Sequence, residues 1–292
     1  MMKKIVILGC ENSHANTFLA YLRDMEEYRD VEVVGVYSIE REAAEKLHET
    51  FGVPVMDNFD DAVGCVDGVV ITARDGKYHA GFALPYLPTI KAIFLDKPIT
   101  IAEDEALMLM RECRKHGVKV SGGSCLKYVD EVLAIGEDVK TEADGATLSG
   151  VVRAPVSYDN EYGGFFFYSE HLIAMLGAAY GWHPTAVTTS RLGTVTTTVF
   201  HYPNYDIVGL HTEGCYKYTI TRHAVKAVRH EEFPIGGNSP CFLAEWQEFY
   251  SILSGNAPHY TEEELIAPVF TLNAMVRSME SGKREAINPY TI

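Results

Sequence analysis

Four apolar residues, Ile5 to Leu8, are followed by Gly9 and, within a few positions, by Phe18, Leu19, Leu22 and Met25 at helical spacing. A short β-branched run with no polar alternation suits a strand buried on both faces of a parallel sheet. Strand, glycine turn and helix, in that order, open a doubly wound nucleotide-binding fold whose helix N-terminus seats a pyrophosphate. The dinucleotide fingerprint is Gly-x-Gly-x-x-Gly, and here its three glycine places hold Gly9, Glu11 and His14. A glutamate at the second place adds bulk and negative charge where phosphate would approach. Two readings of the turn therefore stand. Gly9, Cys10, Glu11, Asn12, Ser13 and His14 form a dinucleotide seat, or the helix is capped by its own side chains with Glu11 where phosphate would lie.

The pattern that follows extends the first reading. Strands are expected at Val31 to Tyr37, Val53 to Met56, Val66 to Thr72, Ala92 to Leu95 and Val118 to Ser121. Between them fall expected helices at Arg41 to Phe51, closed by Gly52, at Phe59 to Cys65, and at Lys77 to Leu87, the last interrupted by Pro85. Thr100-Ile-Ala-Glu103 has the form of a capping box and predicts a helix running to His116. Such alternation means a doubly wound parallel sheet over residues 1–122.

From about residue 123 to 292 the strands lengthen and alternate apolar with polar. They are expected at Thr147 to Val156, Thr185 to Arg191, Thr194 to Tyr202, Asp206 to Thr212 and Tyr216 to Arg222. Helices are expected at Tyr128 to Asp138, Ser169 to Tyr180, Phe242 to Leu253 and Thr261 to Ser281. This is an α+β domain with a mostly antiparallel open sheet.

Composition excludes some functions. The formal net charge of −15 argues against nucleic acid and against an anionic membrane surface. No apolar run reaches membrane-spanning length, and Lys3 and Lys4 lead directly into a strand, so no signal peptide is expected. The six cysteines include no Cys-x-x-Cys pair, which reads as reduced thiols in a cytoplasmic protein with no metal site.

Three features then align in order: the Gly9 turn; Val69-Val70-Ile71-Thr72 with His79, followed by Phe94-Leu95-Asp96-Lys97-Pro98; and Gly163-Gly164 ahead of His171. This order resembles the glucose–fructose oxidoreductase / inositol dehydrogenase family (Gfo/Idh/MocA), nearly end to end, in a divergent form. Asp96-Lys97-Pro98 is similar to that family's Glu-Lys-Pro. The resemblance implies an NAD(P)-dependent oxidoreductase acting on a hydroxyl of a sugar, cyclitol or related polyol, with Lys97 and His171 catalytic. A base must take the hydroxyl proton as hydride leaves, and an ammonium nearby stabilises the developing alkoxide.

The resemblance further implies cofactor contacts from Gly9 to His14, Ser38, Arg41, Thr72, Ala73, Arg74, His79, Asp96 and Lys97. Lys127 stands where many relatives have arginine and is expected to contact substrate, as are Tyr158, Tyr162 and Tyr168; an exposed face of the second sheet is expected to form a homodimer or homotetramer. The family's aspartate four residues before the histidine is Phe167 here, and Tyr168 is a candidate to supply a hydroxyl instead. Ser38 stands where an acid often holds the ribose, and with Arg41 close by it favours NADP slightly over NAD. Two alternatives stand beside this reading. These departures favour a ligand-binding or regulatory protein that has lost the cofactor; the resemblance also allows an NAD-dependent glycoside hydrolase or lyase, as some relatives are.

Overall fold

The structure is a computed structural model and describes residues 2–236 and 239–292. It divides into two compact units: Met1–Gly123 with Gly237–Leu265 and Ile292, and Ser124–Gly236 with Ile266–Thr291.

The first unit is built on a five-stranded parallel sheet of β1 (Lys3–Leu8), β2 (Val31–Tyr37), β3 (Gly68–Ile71), β4 (Ala92–Leu95) and β5 (Lys119–Gly122), in the order β2-β1-β3-β4-β5. The expected strand at Val53 to Met56 is reduced to one parallel bridge, Val36 to Val55, beside β2. Counting that bridge, the strands run 3-2-1-4-5-6 in chain order, which is the dinucleotide-binding topology with its switch point between β1 and β3. Strands β3 and β4 and the Ile5–Leu8 part of β1 are apolar and buried, as a sheet covered on both faces requires.

The helices of this unit are α1 (Ser13–Asp24), α2 (Arg41–Phe51), α3 (His79–Ala83) and α4 (Glu103–His116). Gly52 and Gly117 end α2 and α4 in the left-handed region, where glycine alone carries no Cβ penalty. Three expectations are corrected here. Residues 59–65 form hydrogen-bonded turns, not a helix. The helix expected to reach Leu87 stops at Ala83, two residues before Pro85, which has no N–H to continue it. The Thr100 capping box does not form: α4 starts after Ala102, and Thr100 Oγ1 donates to Ala102 O instead.

The sequence reading placed α7 (Pro240–Leu253) in the second domain, but α7 lies in the first unit. Its Trp246, Phe249, Ile252 and Leu253 share one core cluster with Ile5, Ile7, Phe18, Val70 and Phe94. Trp246 lies 5.1 Å from Phe18, centroid to centroid, so α7 covers the sheet face beside α1. Removing a fully buried tryptophan side chain costs about 3–5 kcal/mol, so the first unit depends on this late segment.

The second unit contains α5 (Asp130–Lys140), α6 (Phe165–Tyr180) and a seven-stranded mixed sheet. Its strands are β6 (Thr147–Val156), β7 (Ala186–Leu192), β8 (Val195–His201), β9 (Asp206–Glu213), β10 (Tyr218–Ala224), β11 (Val228–Phe233) and β12 (Glu285–Ala286), ordered β11-β10-β6-β9-β8-β7-β12. Among the described residues of this sheet only β6 and β9 pair in parallel, so the mostly antiparallel expectation holds. Two edge strands, β11 and β12, were not anticipated. The helix α6 starts four residues earlier than expected, at Phe165. It packs on the sheet closely enough that a Cβ at Gly209 would meet Leu172 at 3.1 Å. The last helix, α8 (Glu262–Ser281), opens with a true capping box: Thr261 N–H donates to Glu264 and Glu264 N–H returns to Thr261 Oγ1.

No helix among the described residues is long and apolar enough to cross a membrane.

Candidate active site

In the first unit the strand ends at the switch point are tied together by side chains. Gly9 has φ +89°, and a Cβ there would fall 2.2 Å from Ala73 N, so the turn closes against the chain after β3 only with glycine. Thr72 Oγ1 donates to Gly9 O and Thr72 N–H to Leu8 O, which fixes the same approach.

Glu11 leaves this turn and reaches across three strand ends. Its Oε2 accepts from Ser38 Oγ at 2.7 Å, just past β2, and its Oε1 accepts from Arg74 N–H at 2.9 Å, past β3. Asn12 caps α1, accepting His14 N–H on Oδ1. These contacts are those of the self-capped reading of the turn. The helix is capped by its own asparagine, and the carboxylate sits at the mouth of the turn.

Beneath the turn is a buried polar knot. Asp96 Oδ2 accepts from Asn12 Nδ2 at 2.5 Å and lies 2.6 Å from His14 Nδ1, while Asp96 Oδ1 accepts from Lys97 N–H at 2.7 Å. Burial alone would raise the Asp96 carboxyl and lower the His14 imidazole. The mutual charge and hydrogen bond of the pair outweigh it, with Lys97 helping Asp96 and Glu245 helping His14. Asp96 is therefore held below the usual carboxylate range and His14 above the usual histidine range, as a carboxylate–imidazolium pair. The His14 ring is 4% exposed and stacks on Phe18, so it acts below the turn and not at its surface. Lys97 follows directly, 5% exposed, at the carboxyl end of β4, where open parallel sheets bind ligands.

Other expected cofactor residues sit elsewhere in this unit. His79 is fully buried, with Nε2 2.8 Å from Ala73 O and Nδ1 3.2 Å from Ile99 O. Burial keeps its pKa below the usual value, and as a neutral imidazole it donates to one of these two carbonyls and packs against the other, between the loops after β3 and β4. The thiol of Cys10 turns back to Tyr37 O, and burial pushes it up to about 12, so its side chain packs. Ser13 is exposed at the start of α1 and donates to Asn12 Oδ1. The Arg41 guanidinium pairs with Glu45 and Asp57 at 3.1 Å each. Ser38 Oγ is engaged by Glu11.

In the second unit His171 lies on the first turns of α6, 9% exposed. Its Nδ1 is 2.7 Å from Ser124 Oγ, which also accepts from Leu126 N–H. Tyr168 meets His171 edge-on through its ring at 5.5 Å, so the hydroxyl at His171 Nδ1 is that of Ser124 and not of Tyr168. Ser124 was missed in the sequence. Its signal was a serine after Gly122-Gly123, at the carboxyl end of the last parallel strand.

Ring contacts continue from Tyr168 to Phe167 at 4.9 Å and from Phe167 to Tyr162 at 5.3 Å, an aromatic wall leading to His171. Asn160 shapes the loop before it, accepting Tyr162 N–H and Gly164 N–H and donating to Gly164 O. Lys127 is buried, its ammonium 4.7 Å from the Tyr128 ring centroid. Tyr158 takes a different direction. It stacks on Phe165, bonds Thr196 through its hydroxyl and lies under the Arg191 guanidinium at 3.4 Å.

Comparison with known proteins bears out the resemblance. Residues 3–124 match the model of the oxidoreductase family with an NAD-binding Rossmann fold, Gfo/Idh/MocA. Glucose-6-phosphate 3-dehydrogenase of Bacillus subtilis (strain 168) is 28% identical over 131 residues, which are 45% of this chain and 36% of that protein. The fold of the whole chain is that of solved dehydrogenases. The scyllo-inositol dehydrogenase of Lactobacillus casei, solved with NAD(H) and scyllo-inositol, superposes with TM-score 0.84 at 16% identity over 98% of this chain and 99% of that one. The myo-inositol 2-dehydrogenase of Lactobacillus plantarum gives 0.84 at 14% identity over 99% and 100%.

Proposed function

Given an amino-terminal domain that belongs to the Gfo/Idh/MocA oxidoreductase family, we propose that this chain is an NAD(P)-dependent dehydrogenase for a hydroxyl of a sugar, cyclitol or related polyol. The observation that carries the reading is Asp96-Lys97 at the carboxyl end of β4, with Asp96 locked under the glycine turn by Asn12 and His14. The first unit fits a dinucleotide in its topology, its Gly9 turn, and an α1 start with no acidic residue in the first turn. When bound, nicotinamide supplies the hydride acceptor or donor. Gly9 to His14 and Thr72 to Arg74 would hold it.

The protein's own part is proton handling and orientation. Lys97 supplies a buried positive charge that stabilises an alkoxide. His171 takes or returns the hydroxyl proton. Its Nδ1 faces Ser124, and the proton transfer is assigned to Nε2. The wall of Tyr162, Phe167 and Tyr168 offers apolar ring faces to a polyol's carbon skeleton, with Lys127 as a further polar contact. A cytoplasmic setting and a homo-oligomer formed through the second sheet complete the proposal. A second reading, a ligand-binding protein without cofactor, is favoured by Glu11 spanning the turn to Ser38 and Arg74.

The reading is tested by supplying NAD or NADP with a panel of sugars and cyclitols and following reduced nicotinamide by absorbance. Turnover is expected with at least one polyol. Lys97→Met and His171→Ala should each lower kcat by about 10²-fold or more while His171→Ala still binds dinucleotide. Turnover unaffected by either substitution would contradict the assignment.

A further inference from the structure

We propose that Glu11 is the acid that holds the adenosine ribose in this chain, supplied from the first turn instead of the end of the second strand, and that it makes the site select NAD over NADP. The inference rests on the oxidoreductase reading. In doubly wound dinucleotide folds a carboxylate near the end of β2 accepts hydrogen bonds from the ribose hydroxyls. Here that place is Ser38, and its hydroxyl is donated to Glu11 Oε2. The Glu11 carboxylate thus reaches the end of β2 from the neighbouring strand.

Its geometry is that of a preset acceptor. Ser38 Oγ and Arg74 N–H fix one oxygen each, from opposite sides of β1 in the sheet order β2-β1-β3. A carboxylate oxygen accepts two hydrogen bonds, so each oxygen keeps capacity for a ribose hydroxyl. The side chain is only half-buried, so a ligand can meet it. A 2′-phosphate in the same place would set a dianion against this carboxylate. Arg41, three residues beyond Ser38, is paired at the surface with Glu45 and Asp57. Glu11 therefore both rewards the free 2′-hydroxyl and excludes the phosphate.

The test is fluorescence titration of NADH and NADPH into wild type, Glu11→Gln, Glu11→Gly and Ser38→Ala, with circular dichroism confirming each fold. Wild type is expected to bind NADH at least about tenfold tighter than NADPH, one charge interaction of ordinary size. Glu11→Gln should bring that ratio to within about threefold of unity, weakening NADH and tightening NADPH. Ser38→Ala, which frees the carboxylate but keeps its charge, should weaken NADH and retain the preference. A wild type preferring NADPH, or a ratio unmoved in Glu11→Gln, overturns the inference and leaves the oxidoreductase reading intact. Binding gained only in Glu11→Gly also overturns it, making Glu11 an obstruction. Binding by no variant would mean that the oxidoreductase reading itself has failed.

Discussion

A hydroxyl and a carboxylate hold an imidazole differently. A carboxylate one helical turn before His171 would orient the ring and favour its charged form, but Phe167 stands there. Ser124 orients the ring without that charge. Leu126 N–H occupies one lone pair of Ser124 Oγ, and the second lone pair can accept a proton held on Nδ1, the tautomer that proton transfer at Nε2 requires. Ser124→Ala is accordingly expected to lower kcat for polyol oxidation by about tenfold with KM for dinucleotide unchanged. Ser124→Asp should move the acidic limb of the kcat profile to higher pH, because an anion raises an imidazole's pKa. A limb that stays in place in Ser124→Asp, in a protein that folds and turns over, would remove Ser124 from the mechanism. This residue was not legible in the sequence because its partner lies 47 positions away. Lys97 was legible, since Asp-Lys-Pro after a buried strand places itself.

At the scale of elements, α1 and the loop after β4 are joined by the His14–Asp96 pair, and the pair fixes how this unit responds to pH. His14 is raised when folded, so its contribution is complete below the ordinary histidine value and is lost as pH rises through the higher folded value. Asp96 is lowered, so its contribution is complete above the ordinary aspartate value and is lost as pH falls through the lower folded value. Urea unfolding of wild type and His14→Gln should therefore differ most between about pH 4 and pH 6.5, and the difference should shrink on both sides. Asp96→Asn, which leaves a buried imidazole without its counter-charge, should cost about 3 kcal/mol or more near pH 6. A difference independent of pH across this range would mean the pair is not ionic. The glycine places in the sequence pointed to this turn, but periodicity could not show that His14 turns inward against Phe18. The same limit explains α7. Its apolar face was readable, but not the distant sheet it covers. The edge strands β11 and β12 escaped because neither is apolar enough to show period two, their residues alternating only in burial.

Over the whole chain, the second sheet has one face covered by α6 and another carrying rows of half-buried and exposed side chains. One row runs Thr221, Val151, Val208, Val199, Thr188 and the next Thr219, Arg153, Leu210, Thr197, Ser190. The proposed oligomer would form through this face, where threonine and branched apolar residues stand in register. Light scattering at about 50 µM is expected to show a dimer or tetramer, at a concentration where such interfaces are occupied. Val208→Asp with Leu210→Asp should then give a folded monomer. A monomeric wild type would reject the surface as an interface. Alternation in the sequence announced this face, whereas the partition of residues into two units was blurred because α7 returns to the first. The central claim, that the first unit is a working dinucleotide domain despite Glu11 in its glycine turn, is tested most directly by calorimetric titration of NADH into the purified chain. Saturable binding with a Kd of about 1–100 µM and one site per chain is expected, the range in which exchanging cofactors work. No heat of binding at millimolar NADH, in a folded protein, would contradict the account and leave a Rossmann-type unit that has given up its cofactor.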